Sequence, residues 1–151
     1  MKQIITLVRY FKAEKITKED SFLDIGCGKG RVILFMHLFG FRKIDGIEYS
    51  NEISSVAKKN IDRLKIKRSK IYTIDAAEFN YYNEYNYIFM YNPFGEDIME
   101  KVMKKLVADT EHDVKIIYYH PAYDGVLLRH GILFEKDLGK EVSVYIKKRI
   151  K

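Results

Sequence analysis

The sequence predicts an α/β fold with a doubly wound, mostly parallel sheet of seven strands and helices on both faces. Apolar runs of strand length alternate with segments of helical period, which is the pattern of parallel strands joined by crossover helices. The last two apolar runs are separated by Gly139 and Lys140, which predicts a C-terminal antiparallel β-hairpin. With 151 residues, the chain is expected to form a single domain, 1–151.

The first third of the chain predicts a helix, a strand, a glycine turn and a second helix. Segment 1–18 carries one apolar helical stripe, so we expect an N-terminal helix packed on the sheet. Residues 21–25 predict the first strand, and the turn 26–30 ends it. The apolar segment 31–39 then predicts a buried helix that ends at Gly40.

The middle of the chain predicts two strands with a helix between them. Residues 43–48 predict the second strand, and Ser50 is a suitable N-cap for the helix that follows. The apolar positions of that helix recur with the 3.6-residue period, at Ile53, Val56, Ala57, Ile61 and Leu64. Residues 70–74 predict the third strand, which ends at Asp75.

The second half predicts two more parallel strands and the hairpin. The aromatic segment 85–91 predicts a central strand, which stops at Asn92 and Pro93 because proline cannot continue a sheet ladder. A helix beginning near residue 96 is expected to bury an inner face of Ile98, Val102 and Leu106. The remaining predicted elements are a fifth strand at 114–119, a weak helix at 122–130, and hairpin strands at 132–138 and 141–147.

Composition and charge argue against several classes of protein. The chain has one cysteine, Cys27, and charges interrupt the first apolar residues too often for a signal peptide, so we expect a reduced, cytoplasmic protein. No apolar run approaches the roughly 20 residues of a membrane-spanning helix, and no His/Cys spacing indicates a metal site. The net charge is +6, with seven bases in segment 58–70 and a basic C-terminal segment, 147–151. A solvated surface is the favoured interpretation of these bases, and nucleic-acid binding is the alternative.

Candidate binding residues follow the predicted strands, where ligands bind in such sheets. The glycines of Asp24-Ile25-Gly26-Cys27-Gly28-Lys29-Gly30 alternate, which lets the backbone turn sharply and approach a small molecule. Arg31 stands where a dinucleotide-binding loop favours glycine, which argues against a nicotinamide cofactor. Glu48 follows Gly26 by 22 residues and can accept hydrogen bonds from both hydroxyls of a ribose.

Two neighbouring residues extend this candidate site. Tyr49 offers an aromatic face for an adenine ring, with packing in the core as the alternative. Asp75 can accept a hydrogen bond from an exocyclic amine, or it can cap the helical turn that begins at Ala76.

These residues resemble the class I, Rossmann-like, S-adenosylmethionine-dependent methyltransferases. The first motif of that family matches 24–30, and its acidic residues after strands two and three match Glu48 and Asp75. The resemblance covers nearly the full chain and implies that the final strand inserts between strands five and six. It implies S-adenosylmethionine as cofactor, S-adenosylhomocysteine as product, and these binding residues: Asp24, Gly26, Cys27, Gly28, Gly30, Glu48, Tyr49, Asp75, Ala76 and Asn92.

The loop after strand four predicts the methyl-acceptor site. Asn92-Pro93-Phe94-Gly95 partly resembles the N-P-P-Y/F signature of enzymes that methylate nitrogen in nucleic-acid bases or glutamine side chains. Asn92 and Pro93 can accept hydrogen bonds from an NH₂ group, and Phe94 can stack on a planar acceptor, so these three are the predicted catalytic residues. The alternative is that Asn92 and Pro93 only end a strand.

Other interpretations stay open at this point. The protein is predicted to methylate a nitrogen, but methylation of oxygen in a small molecule or sugar, with His120 as base, is an alternative. A cofactor-binding partner subunit or RNA-binding module without its own turnover is another. Tyrosines 81, 82, 85, 87 and 91 either line an acceptor pocket or pack in the core. The sequence leaves the acceptor class open, and the protein is expected to be a monomer or homodimer.

Overall fold

The helices and strands alternate along the chain. The computed structural model describes residues 2–150 and the side chains of residues 4–150, so Met1 and Lys151, the ends of the predicted domain, lie outside the described residues. The elements are α1 (Lys2–Ala13), β1 (Ser21–Ile25), α2 (Arg31–Met36), β2 (Lys43–Glu48), α3 (Asn51–Arg63), β3 (Ile71–Thr73), β4 (Tyr87–Tyr91), α4 (Glu96–Asp109), β5 (Val114–Tyr119), α5 (Asp124–Arg129), β6 (Leu133–Asp137) and β7 (Val142–Lys147). Two 3₁₀ turns, Ala76–Glu78 and Tyr82–Glu84, lie between β3 and β4.

The strands form one sheet in the order β3-β2-β1-β4-β5-β7-β6. Strands β1 to β5 are parallel, and β7 is antiparallel to both β5 and β6. The predicted fold is therefore confirmed, including the final strand between the fifth and the sixth. The register places Ile25 opposite Ile47 on one side and Met90 on the other, so the carboxyl ends of β1, β2 and β4 lie side by side.

Two apolar layers cover the two faces of the sheet. Because successive side chains of a strand point to opposite faces, Phe22 packs in the layer of α1, α2 and α3, while Leu23 packs in the layer of α4 and α5. Both side chains are completely buried, so β1 is covered on both faces. None of the helices in residues 2–150 is long and apolar enough to cross a bilayer.

Helix α4 differs from the prediction. Its buried face is formed by Met99, Val102, Met103 and Leu106, whereas Ile98 is 41% exposed. The prediction that Ile98 lines the inner face is therefore wrong. Residues 98, 102 and 106 follow a strict spacing of four, whereas the buried residues 99, 102, 103 and 106 include pairs both three and four residues apart, which matches 3.6 residues per turn more closely.

Helix α2 and strand β4 are among the elements that are shorter than predicted. Helix α2 ends at Met36, and the chain continues in turns to residue 39. Strand β4 begins at Tyr87, because Tyr85 lies before the ladder, with its hydroxyl donating to the Asp45 carboxylate at 2.6 Å.

Candidate active site

The glycine loop is tied to the end of β2 by its own backbone. The N–H groups of Gly26 and Cys27 both donate to the carbonyl oxygen of Ile47, each at 2.9 Å. Gly26, Gly28 and Gly30 have φ values of +74°, +55° and +81°, the left-handed region that glycine adopts without steric cost. The sequence therefore folds here into a tight turn at the carboxyl end of β1.

Gly26 also allows two loops to touch. A Cβ at this position would lie 2.8 Å from the Cβ of Pro93, closer than real Cβ atoms approach one another. The missing side chain thus brings the glycine loop against the Asn-Pro loop after β4.

The Glu48 carboxylate lies against the glycine loop. One carboxylate oxygen accepts a hydrogen bond from the Gly28 N–H at 3.0 Å, and the other accepts from the Ser50 N–H at 3.0 Å. These two bonds fix the orientation of the carboxylate. Because a carboxylate oxygen has two lone pairs, each oxygen can still accept a bond from a ligand.

A first cleft of about 530 Å³ opens beside Glu48. Its lining residues are Gly26, Glu48, Tyr49, Asp75, Ala76, Pro93, Phe94 and Ile98. Tyr49 is 78% exposed, so its ring does not pack in the core, and Ile98 gives the cleft an apolar wall. One Asp75 oxygen caps the following turn by accepting from the Ala77 N–H at 2.9 Å, which leaves the second oxygen as an acceptor.

A second cleft of about 330 Å³ lies on the other side of Gly26. Its lining residues are Asp24, Gly26, Cys27, Lys29, Arg31, Val32, Phe89 and Tyr91. Asp24 is 2% exposed, and burial, followed by the charge of Glu48, raises the pKa of its carboxyl to about 8. Burial likewise raises the pKa of the Cys27 thiol, which is therefore not a reactive thiolate at neutral pH. The second cleft combines a buried carboxyl with the two bases Lys29 and Arg31.

Asn92 has a backbone conformation that is uncommon for a residue with a side chain. Its φ is +37°, and its side-chain oxygen accepts a hydrogen bond from the Tyr118 hydroxyl at 3.2 Å. The oxygen expected to receive an acceptor NH₂ therefore already has one partner, and its second lone pair can serve a ligand. The amide nitrogen and the main-chain carbonyl of Asn92 take no part in this bond.

The structure brings most of the predicted residues to the two clefts, which share Gly26. Gly28, Gly30 and Asn92 belong to the bordering loops but do not line either cleft. Sequence reasoning missed Ile98 and Lys29 as lining residues, and considered Arg31 only as an argument against nicotinamide. It also missed Tyr118, because its bond to Asn92 joins residues 26 apart in the chain and leaves no local pattern.

The predicted tyrosine cluster does not form one acceptor pocket. Tyr82 and Tyr85 are completely buried and Tyr87 is 9% exposed, which agrees with the alternative of packing in the core. The Tyr82 hydroxyl donates to the Ala76 carbonyl at 2.8 Å, and this bond supports the first cleft because Ala76 lines it. Of the five tyrosines, Tyr91 alone lines one of the two clefts.

The predicted basic segment 58–70 lies on α3 and the loop before β3 and lines neither cleft, although its Asn60 amide donates to the Lys29 carbonyl at 3.0 Å. Several of its bases have structural contacts: Arg68 donates to the carbonyls of Phe39 and Phe41, and Lys58 donates to Thr73. Nucleic acid as a partner of this segment stays a prediction.

Comparisons with known proteins identify the family. A family model described as "Methyltransferase domain" matches residues 16–126. The human protein EEF1A lysine methyltransferase 2 is 35% identical over 66 residues, and this match covers 40% of the chain but only 28% of the human protein.

Solved structures with low sequence identity share the fold. A candidate S-adenosyl-L-methionine-dependent methyltransferase from Methanococcus maripaludis superimposes with a TM-score of 0.78 at 19% identity, covering 98% of this chain and 84% of the other. An RNA methyltransferase from Salinibacter ruber, solved with S-adenosyl-L-homocysteine, has a TM-score of 0.67 at 17% identity and covers 94% and 88% of the two chains. Because the family model spans the glycine loop, Glu48, Asp75 and the Asn-Pro loop, the resemblance is confirmed, and the chain belongs to the methyltransferase-domain family.

Proposed function

We propose that the protein binds S-adenosylmethionine across the two clefts and transfers its methyl group to a nitrogen held at Asn92, Pro93 and Phe94. The observation that carries this proposal is the pair of unlike clefts that meet at Gly26. One suits a nucleoside and the other an amino acid, and S-adenosylmethionine joins these two chemical groups.

The first cleft provides hydrogen-bond acceptors and an apolar wall for a nucleoside. The free lone pairs of Glu48 can accept from the two ribose hydroxyls, and the second oxygen of Asp75 can accept from an exocyclic amine. Ile98 and Tyr49 provide apolar and aromatic surface for the base.

The second cleft provides charges of both signs. The buried Asp24 carboxyl can pair with a ligand ammonium, and ionisation there is favoured once a cation is bound. Lys29 and Arg31 line the same cleft and can attract a carboxylate. The residues present therefore fit the amino-acid end of the cofactor.

The reaction requires the protein mainly to position the methyl donor and the acceptor. When bound, S-adenosylmethionine supplies a methyl group that is already activated for displacement. The task of the chain is then to align the acceptor and to exclude water, and this alignment can provide much of the rate without a charged nucleophile. Pro93 and Phe94 line the first cleft next to Gly26, so the acceptor loop adjoins the point where the clefts meet.

Two findings support nitrogen as the acceptor atom. The hydrogen bond from Tyr118 fixes the orientation of the Asn92 amide, and the second lone pair of its side-chain oxygen can accept a hydrogen bond from an NH₂ group. The human relative is named a lysine methyltransferase, and the atom methylated in a lysine side chain is a nitrogen.

The proposal is tested by cofactor binding and methyl transfer measured together. We expect S-adenosylhomocysteine to bind in calorimetry and labelled methyl from S-adenosylmethionine to enter a nitrogen-containing acceptor in a fractionated cell extract. Asn92→Gly removes the side chain but accepts the positive φ, so it should lower the transfer rate by roughly 100-fold through misplacement of the acceptor. Its affinity for S-adenosylhomocysteine should stay close to that of the wild type. Absence of cofactor binding would refute the proposal.

A second substitution separates nitrogen from oxygen transfer. His120 is the base that the oxygen alternative requires, and in the structure its ring lies edge-on to Tyr91 and Tyr119. His120→Ala should preserve most transfer to nitrogen, since an uncharged amine needs no strong base. If the wild type transfers the label to an oxygen and His120→Ala loses all transfer, the alternative is favoured.

A further inference from the structure

Strands β4 and β5 end in turns of the same pattern, a tyrosine, one variable residue and a proline. Tyr91-Asn92-Pro93 and Tyr119-His120-Pro121 stand side by side, because Tyr91 and Tyr119 are register partners in the parallel ladder. The middle residue of each turn has a positive φ, +37° for Asn92 and +50° for His120. Asn and His tolerate this region better than most residues, but two such conformations at adjacent strand ends are the kind of backbone feature that concentrates at functional sites.

The turns hold three aromatic rings together. The rings of Tyr91 and Tyr119 are stacked, with centroids 4.7 Å apart and an angle of 16° between their planes. His120 lies edge-on to both, at 5.4 Å from Tyr91 and 4.6 Å from Tyr119. Tyr119 is only 4% exposed, whereas Tyr91 is 46% exposed. Because Tyr119 covers one face of Tyr91, the other face of the Tyr91 ring is available to a planar ligand.

The tyrosine pair separates the second cleft from a third one. Tyr91 lines the second cleft, and Tyr119 lines a cleft of about 350 Å³ between α1 and the β6–β7 turn. The lining residues of this third cleft are Ile5, Thr6, Arg9, Tyr119, Leu138, Gly139, Lys140, Glu141 and Val142. The third cleft plays no part in the proposed binding of the cofactor.

The charges around the tyrosine pair are mainly positive. Arg9 and Lys140 line the third cleft, and Lys29 and Arg31 line the second. Among the side chains of residues 4–150, none of these four cations has a carboxylate within ion-pair distance. The acid of the third cleft, Glu141, accepts a hydrogen bond from the Tyr119 hydroxyl at 2.7 Å. Because Lys29 and Arg31 are assigned to the carboxylate of the cofactor, Arg9 and Lys140 are the cations that remain for an acceptor. With two cations and one carboxylate, the third cleft favours an anionic ligand over a cationic one, such as a lysine side chain.

We propose that the third cleft is a subsite for the methyl acceptor, that Arg9 and Lys140 bind a phosphate of the acceptor there, and that a nucleobase of the same acceptor stacks on Tyr91. This inference rests on the proposed function and adds to it the class of acceptor, a phosphorylated nucleoside. Such an acceptor is available as a free nucleotide or as part of an RNA strand. An aromatic face next to unpaired cations matches a base joined to a phosphate.

The test uses the full chain saturated with S-adenosylhomocysteine and two kinds of probe. Calorimetry measures binding of each of the four nucleoside monophosphates, and fluorescence anisotropy measures binding of a labelled single-stranded RNA of mixed sequence. Binding of a monophosphate identifies a free nucleotide as sufficient, and binding of RNA alone identifies the strand as the source. Either result supports the subsite.

Charge reversal locates the bound probe. The double variant Arg9→Glu, Lys140→Glu should weaken binding by about tenfold or more through loss of the phosphate contacts, and Tyr91→Ala should do so through loss of stacking. Tyr91→Phe keeps the ring and should bind as the wild type does. Lys67→Glu reverses one charge in the basic segment 58–70, half the change of the double variant, and should change binding little because Lys67 is exposed there.

The possible failures are distinguishable. If S-adenosylhomocysteine does not bind, the proposed function fails first. If it binds but no nucleotide or RNA does, or if labelled methyl enters only lysine side chains, the subsite is refuted while the methyltransferase stands. Binding lost in Lys67→Glu and kept in the double variant would place nucleic acid on the basic segment and also refute the subsite.

Discussion

The buried carboxyl of Asp24 predicts a pH dependence of stability that one substitution should abolish. Its pKa in the folded protein is raised to about 8, against 3.8 for the free side chain, so between these values the unfolded chain is ionised and the folded chain is protonated. The folded state then binds one more proton than the unfolded state, and the free energy of unfolding decreases as the pH rises. One proton corresponds to about 1.36 kcal/mol per pH unit, or about 2.7 kcal/mol between about pH 5 and pH 7.

Asp24→Asn replaces the carboxyl by a neutral amide of nearly the same shape, so this contribution should disappear. Urea unfolding of the wild type and the variant at about pH 5, 6 and 7 measures the difference between their slopes, in which all other titrating groups cancel. We expect the stability of the variant relative to the wild type to increase by about 2.7 kcal/mol between about pH 5 and pH 7. Equal slopes would mean that Asp24 is ionised in the folded protein and would refute the reasoning.

Three further substitutions test the support of the clefts. Gly26→Ala and Gly28→Ala both place a side chain at positive φ, at a cost of about 1 to 2 kcal/mol, but a Cβ on Gly26 also clashes with Pro93 while one on Gly28 meets nothing within 4 Å. Thermal unfolding should show Gly26→Ala to be the less stable by a further 1 to 3 kcal/mol, roughly the cost of overpacking, and equal stabilities would contradict the close approach of the loops. Tyr82→Phe deletes the hydroxyl that donates to the Ala76 carbonyl. This deletion should lower the free energy of unfolding in urea by about 1 to 3 kcal/mol and weaken S-adenosylhomocysteine binding. Unchanged values would show that this bond does not support the first cleft.

Local patterns in the sequence were sufficient for the fold and for much of the candidate site. The alternation of strand and helix periods, the glycines at 26, 28 and 30, and the position of Glu48 after a strand are all local features. In a parallel sheet the carboxyl ends of the strands meet at one edge, so these features also predict which residues lie near one another.

The remaining features depend on contacts between distant segments. The hydrogen bond from Tyr118 to Asn92 joins the ends of β5 and β4. Which residues of these two strands lie beside each other depends on the register of the sheet, and no single residue indicates that register. Ile98 lies one residue before the buried position Met99, and a rotation of about 100° per residue moves it from the core to the cleft. Likewise, the five tyrosines 81, 82, 85, 87 and 91 differ in exposure because packing, rather than local propensity, decides their burial.

The central claim is that Glu48 and the glycine loop bind the same adenosyl ligand. Calorimetric titration of S-adenosylhomocysteine into the wild type, Glu48→Ala and Glu52→Ala tests it most directly, since Glu52 lies on the neighbouring helix and is exposed outside both clefts. Loss of charge-assisted hydrogen bonds to the ribose should weaken binding by about 10- to 100-fold in Glu48→Ala and leave Glu52→Ala unchanged. Wild-type affinity in a correctly folded Glu48→Ala variant would contradict the claim.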